Sequence, residues 1–328
     1  LNPINSCRII YAGSYSMIKP CSLKKGDQIG IISPSYWLDE NDLKRTAAYF
    51  LERDYKIKLG KSNYLRKGPF AGTYQQRADD IHHMFSDPGV DAIICARGGY
   101  GANRVLPLLD YDHIKGHPKI FMGYSDITGY LISITQKTEL VTFHGPMLTS
   151  YKKRFVNYNF ELMEKVLGGE PGRKIEPPES FPVRVLRPGT AVGSLWGGNM
   201  TLLINRLGTK DTLNTDGTIL FLEDLDEYLY SFERMLVHMR TVGMFEKIKG
   251  LIIGELNGFK DDDTPFDRDP DEIVLDICGD LNIPIVSNFP CGHGDHQATM
   301  PISIPIELNA NEKAPEIKLL EPAVETNR

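Results

Sequence analysis

Apolar positions along the chain fall into two alternating patterns. Short runs at Gln28–Ser33, Tyr55–Leu59, Val90–Ala96 and Lys119–Met122 read as strands. Val90–Ala96 is apolar except for Asp91, the pattern of a strand covered on both faces in a parallel sheet. Between these runs the apolar residues recur at helical spacing. In Asp39–Arg53, Leu43, Ala47, Phe50 and Leu51 share one face and Asp39 stands where a cap belongs. Gln76–Phe85 repeats the pattern with Ile81, Met84 and Phe85, and Asp87-Pro88-Gly89 stops it. Gly101–Leu109 reads as a further helix. Strands alternating with helices predict an α/β sheet with right-handed crossovers.

The pattern breaks at Gly168–Gly189, where Pro171, Pro177, Pro178, Pro182 and Pro188 alternate with glycines and charges. This stretch predicts a linker. Beyond it the runs are strand-like: Val183–Val185, Thr190–Ser194, Thr218–Leu222, Gly250–Ile253, Pro284–Ser287 and Ile304–Leu308. One clear helix intrudes at Tyr230–Val242 and a weaker one at Asp271–Cys278. The expected organisation is an α/β domain over 18–167, a linker over 168–189, a smaller β-rich domain over 190–320 and a tail over 321–328. Residues 1–17 carry few apolar side chains and have Arg8 in their midst. They read as an extension or disordered arm, not a signal peptide.

Composition narrows the function classes. The 328 residues suffice for two domains of roughly 150 residues each. A net charge of −6 with both signs interspersed argues against nucleic acid or an anionic membrane as partner. No apolar run approaches the roughly 18 residues of a membrane span. Cys7, Cys21, Cys95, Cys278 and Cys291 are scattered without a C-x-x-C pair, which predicts neither a disulfide framework nor a zinc site and fits a reducing cytoplasm. Asp261-Asp262-Asp263 lacks the glycine of a calcium loop, and His293-x-x-His296 is not a zinc-protease motif. Gly99-x-Gly101 lacks the third glycine of a dinucleotide fingerprint, and a P-loop is absent.

The candidate chemistry centres on Gly123-Tyr124-Ser125-Asp126-Ile127. An apolar strand ends at a glycine, presents one serine and enters a helix-like stretch. A serine at such a turn stands above the sheet, with the following N–H aimed to stabilise an oxyanion. Ile127 replaces the last glycine of G-x-S-x-G. Gly98 and Gly99, at the end of the strongest strand, allow a backbone N–H to approach a ligand. A serine nucleophile needs a base. His293, flanked by Gly292 and Gly294, is the first choice, and His144 is the second. The base needs an orienting carboxylate. Glu223 ends the apolar strand Leu220–Leu222, and Asp224 or Asp226 can cap the next helix, leaving Glu223 for the histidine. Arg97, beside the glycine loop, can grip a carboxylate in bidentate fashion, or can pair with a structural carboxylate between the domains.

Six segments in order carry a resemblance: Arg97-Gly98-Gly99-Tyr100-Gly101, Gly123–Thr128, His144-Gly145-Pro146-Met147, Trp196-Gly197-Gly198-Asn199, Leu222-Glu223-Asp224 and Gly292-His293. Together they closely resemble the serine LD-carboxypeptidases, the muramoyl-tetrapeptide carboxypeptidases, from about Ile18 to Leu320. Met300-Pro301-Ile302 departs from the leucine-proline-glycine end common in the family. The resemblance implies a Rossmann-like or flavodoxin-like N-terminal α/β sandwich joined to a C-terminal β-rich, swivelling-barrel-like domain. It implies a Ser125–His293–Glu223 triad, an oxyanion hole from the N–H groups of Gly99 and Asp126, and substrate contacts from Arg97, Gly98, Trp196 and Asn199. The implied reaction releases D-alanine from an L-centre diamino acid in a cytoplasmic murein tetrapeptide, in a homodimer, with neither metal nor organic cofactor. A related branch cleaves microcin-type peptide-nucleotide conjugates. The acidic run Glu223–Glu227 favours the cell-wall peptide over that alternative. A cysteine amidotransferase built on Cys95 is disfavoured because Cys95 lies inside an apolar strand. A non-catalytic peptide binder would be expected to lack a member of the triad.

Overall fold

The computed structural model describes residues 17–170, 174–311 and 315–326. Apart from Met17, the expected extension over 1–17 lies outside the described residues, as does Cys7.

The first half forms a sheet from β1 (Gln28–Ile32), β2 (Lys56–Leu59), β3 (Ala92–Cys95), β4 (Ile120–Gly123) and β5 (Phe143–His144). These five pair in parallel in the spatial order β5-β4-β3-β1-β2. All four β3 residues are fully buried, as their uninterrupted apolar character requires. The helices are α1 (Glu40–Leu51), α2 (Tyr74–Ser86), α3 (Ala102–Val105), α4 (Tyr111–Gly116), α5 (Thr128–Thr138) and α6 (Asn157–Leu167). Asp39 caps α1 by accepting the Asn41 N–H, and Thr73 with Gln76 forms a capping box on α2. The helix expected over Gly101–Leu109 divides. Its α turn ends at Val105 and a 3₁₀ turn, Leu106–Leu108, follows. Pro107 has no N–H to extend the α pattern.

The second half builds an eight-stranded sheet. It contains β6 (Lys174–Ile175), β7 (Arg184–Arg187), β8 (Gly189–Asn199), β9 (Thr218–Leu225), β10 (Gly250–Asn257) and β11 (Ile285–Phe289). Helices α7 (Met200–Ile204), α8 (Leu229–Thr241) and α9 (Pro270–Cys278) connect its strands. The proline-rich stretch read as a linker supplies two of these strands. β6 pairs with a late strand and β7 pairs antiparallel with β11, while Pro177, Pro178 and Pro182 occupy the unpaired backbone between them. β8, β9, β10 and β11 run parallel at the centre.

β12 (Met300–Pro301) leaves this half and pairs antiparallel with β5 at the edge of the first sheet. The chain then returns through β13 (Pro305–Ala310) and β14 (Glu316–Leu319). The loop between β11 and β12 is thus tethered to both sheets. The carboxyl ends of β3, β4, β9 and β11 carry the Gly98–Gly101 loop, Ser125, Glu223 and the His293 loop. Ligands of parallel α/β sheets lie at such strand ends.

Candidate active site

β4 ends at Gly123, Tyr124 remains extended, and Ser125 turns the chain with a φ of 63°. A non-glycine residue in this left-handed region is held against an intrinsic cost of about 1–3 kcal/mol. The turn folds so tightly that a Cβ on Gly123 would stand 2.8 Å from Ile127 Cγ2. That contact puts a branched residue where the serine-hydrolase motif carries its last glycine. Asp126 pins the turn. Its buried carboxylate accepts the Ser35 hydroxyl at 2.5 Å and the Ala102 N–H at 3.0 Å, tying the turn to the loop after β1 and to α3. Burial pushes the Asp126 carboxyl above the usual range against the pull of these bonds and of nearby Arg77. Arg77, itself buried, donates to the Pro34 carbonyl at 2.9 Å.

The loop after β3 crosses directly over this serine. A Cβ on Gly98 would lie 3.2 Å from Ser125 Oγ and 3.3 Å from the Asp126 nitrogen. Only a bare backbone leaves that space open. Gly99 has a φ of 120° and lies against the Tyr36 ring, where a Cβ would meet Cδ2 at 2.6 Å. A side chain is therefore excluded at Gly99 on two grounds. Arg97 donates to the Trp37 carbonyl at 3.2 Å, with its guanidinium 5.6 Å from the Tyr36 ring centroid. It enters no ion pair among the described residues, so the carboxylate partner considered for it between the domains is not found there.

Glu223 is fully buried near the end of β9, and its Oε2 accepts the His293 Nδ1–H at 2.7 Å. Gly254 on neighbouring β10 makes room: a Cβ there would come within 2.9 Å of both Glu223 Cβ and Cys291 Sγ. The His293 backbone N–H donates to Asn257 Oδ1 at 2.9 Å. The His293 ring packs edge-on to Tyr124, centroids 4.9 Å apart, so the imidazole abuts the residue that precedes Ser125. Burial alone would lower the His293 pKa, but the charge and hydrogen bond of Glu223 outweigh it and hold it above 6.5. With Nδ1–H committed to Glu223, Nε2 is the acceptor. It is buried and has no hydrogen-bond partner among the described residues, so the Ser125 hydroxyl is not bonded to it here. Such bonds often tighten only when substrate arrives.

His144 is buried and donates through Nε2 to the Cys291 carbonyl at 2.8 Å, and burial lowers its pKa. Its Nε2 is thereby committed to the loop that carries His293, which it braces, while Nδ1 is buried without a partner among the described residues. Asn199 is spent internally: its amide donates to Asp224 at 2.8 Å and its oxygen caps α7 by accepting the Leu202 N–H at 3.2 Å. Trp196 lines a separate cleft of about 420 Å³ with Thr135, Gln136, Leu213 and Asn214. Ser125, Gly98, Asp126, Glu223 and His293 are thus gathered; Asn199 lies beside Glu223 in the β8–β9 register with its polar atoms already engaged, and Trp196 faces the separate cleft. Sequence reasoning overlooked Asn257, Tyr124, Ser35 and Arg77. Each acts through a contact between distant segments that leaves no local pattern.

The family model described as the LD-carboxypeptidase N-terminal domain matches residues 29–145, and that of the LD-carboxypeptidase C-terminal domain matches residues 192–308. A protein described as a probable murein peptide carboxypeptidase, from Bacillus subtilis, is 34% identical, with 90% of this chain and 92% of the relative covered. The solved muramoyltetrapeptide carboxypeptidase of Oxalobacter formigenes superposes with a TM-score of 0.80 at 27% identity, covering 92% of this chain and all of that one. The structure of MccF in complex with glutamyl sulfamoyl guanosine superposes with a TM-score of 0.87 at 26% identity, covering 94% and 99%. MccF of Escherichia coli is described as the microcin C7 self-immunity protein.

Proposed function

The chain belongs to the LD-carboxypeptidase family, and on that premise we propose that it removes D-alanine from the L-diamino acid of a murein tetrapeptide, using Ser125, His293 and Glu223. The observation that carries this reading is the Glu223–His293 bond of 2.7 Å beside the left-handed serine turn. It fixes the imidazole with Nδ1 protonated and Nε2 as acceptor. In the proposed reaction, Ser125 Oγ attacks the carbonyl carbon of the scissile bond and His293 Nε2 takes the hydroxyl proton. The N–H groups of Asp126 and Gly99 bind the oxyanion in the space that Gly98 leaves open. His293 returns the proton to the departing D-alanine nitrogen. Water then enters by the same route, with His293 Nε2 again taking the proton, and the acyl-serine bond breaks as His293 returns that proton to Ser125 Oγ. Arg97 binds the free carboxylate of the terminal residue. The proposed setting is the cytoplasm, with the enzyme a homodimer. Among the described residues, no helix is long and apolar enough to cross a membrane.

A second reading, cleavage of a peptide-nucleotide conjugate, has one observation in its favour. Just past the acidic run, Tyr228 and Tyr230 stack with centroids 5.5 Å apart, Lys260 lies 4.6 Å from the first ring and Arg234 lies 5.5 Å from the second. Stacked rings with adjacent cations suit a nucleobase and its phosphate. Mass spectrometry of parallel digests separates the two. Release of D-alanine from the tetrapeptide, with an aminoacyl sulfamoyl nucleoside left intact, supports the first reading; the reverse pattern supports the second.

A further inference from the structure

Glu255, on β10 one strand from Glu223, takes no part in the chemistry above. Its side chain runs beneath the loop that carries His293, and both glycines flanking the histidine rest on it. A Cβ on Gly292 would stand 2.5 Å from the Glu255 carbonyl oxygen and 3.0 Å from its Cβ, and one on Gly294 would overlap the carboxyl group. That carboxyl lies against the Gly294 N–H and the Asn257 side chain, and both favour its ionised form. Asn257 Oδ1 in turn accepts the His293 N–H at 2.9 Å. Oε2 of Glu255 is buried without a partner among the described residues. One connected set of contacts therefore runs from Glu255, directly and through Asn257, to the backbone of His293 and of the residue after it.

The titratable groups facing Glu255 are Glu223 from β9, Asp295 and Cys291 from the loop, and Tyr158 from α6. None is a cation. Arg154 reaches only as far as Asp295, which it pairs at 2.8 Å. Burial is the main cause that lifts the Glu255 carboxyl to about 7, with the charges of Asp295 and Glu223 adding to it. Its charge therefore changes close to neutral pH. A charge-assisted hydrogen bond is roughly twice as strong as a neutral one, so ionisation tightens the hold on Gly294.

We propose that Glu255 is a positioning residue: ionised, it holds the loop so that His293 is aligned with Ser125, and protonated, it lets the loop slacken. This rests on His293 being the base. Misplacing a catalytic group by about 1 Å can cost around 10²-fold in rate, so the grip is expected to appear in the pH profile.

With the murein tetrapeptide as probe, activity needs neutral His293 and ionised Glu255. Log kcat/KM should then climb at acid pH with a limiting slope of two. Glu255→Gln keeps an acceptor for Gly294 but does not titrate, and its slope should be one. A heteronuclear NMR titration of the His293 ring needs no substrate. It should give two inflections in the wild type and one in Glu255→Gln, the apparent values belonging to the coupled pair. Two inflections with no cleavage of the tetrapeptide would sink the substrate assignment and leave the positioning role supported. A wild-type slope of one together with a single inflection overturns the proposal, and that result does not depend on the variant folding.

Discussion

His293 and Glu223 lie 70 residues apart in sequence and meet with Nδ1 2.7 Å from Oε2. The carboxylate comes from a central strand of the second sheet. The imidazole comes from a loop that continues as β12 into the first sheet, the one that carries Ser125. Alignment of the three groups therefore depends on how the two sheets are joined, and His144, Asn257 and Asn159 secure the join. Asn159 on α6 donates to the Asp295 carbonyl at 2.9 Å and accepts the Gln297 N–H at 2.7 Å.

Glu223→Gln should preserve the fold and lose turnover. An amide can offer its NH₂ to Nδ1, which moves the imidazole proton to Nε2 and removes the acceptor. The fall in kcat should be on the order of 10³–10⁴-fold, as when a triad carboxylate is replaced by its amide. A variant within tenfold of wild type would remove Glu223 from the mechanism. In the wild type, the ionised glutamate raises the His293 pKa above 6.5. The neutral base therefore appears only as pH rises through that higher value, and kcat/KM should climb above pH 6.5. An acid limb centred below 6.5 contradicts the pairing.

Gly98→Ala tests the space over the nucleophile. The new methyl would sit 3.2 Å from Ser125 Oγ and 3.3 Å from the Asp126 nitrogen, where the substrate carbonyl has to enter. Loss of one oxyanion donor costs about 10²–10³-fold in kcat, and a fall of that size is expected with little change in thermal stability. Undiminished turnover would place the reacting carbonyl elsewhere.

His144→Ala and His293→Ala should differ in kind. Removing His144 leaves the Cys291 carbonyl without its donor and loosens the loop, so kcat should fall by roughly tenfold, of the size expected from a loosened catalytic geometry. The residual activity should keep a histidine-like acid limb. Removing His293 should lower kcat by several orders of magnitude. The opposite ranking would make His144 the base.

Arg97 offers a charged fork beside the glycine loop with no ion-pair partner among the described residues. If it reads the terminal carboxylate, amidating the D-alanine should lower kcat/KM by at least tenfold, because a charged donor is left unpaired. Arg97→Lys should recover only part of the activity on the free acid, since an ammonium lacks the planar fork. Equal cleavage of free and amidated peptides would assign Arg97 to holding the Trp37 carbonyl alone.

Much of this was legible in the sequence where the signal is local. β1, β3 and β4 are continuous apolar runs, α1 and α2 are periodic and capped, and the glycine before Ser125 marks the end of its strand. The serine, the glutamate and the glycine-flanked histidine each stand at the end of a strand that the apolar pattern locates. What the sequence concealed is set by contacts between distant segments. β6 and β7 sit in a proline-rich stretch and exist because β14 and β11 offer them edges. The family resemblance puts Asn199 among the substrate contacts, yet Asp224 and the first turn of α7 consume both its polar atoms. Trp196 follows a motif but faces the cleft beneath α5. Glu255 lies at the end of an apolar strand, with no local feature to show that two glycines 37 and 39 positions later close over it.

The central claim, that Ser125 is the nucleophile of a D-alanine-releasing carboxypeptidase, is tested most directly by Ser125→Ala. Release of D-alanine from the tetrapeptide would be followed in the variant and the wild type, with peptide binding measured alongside. The account predicts a loss of several orders of magnitude in kcat, with binding retained. Turnover near the wild-type rate in a folded Ser125→Ala variant would contradict it.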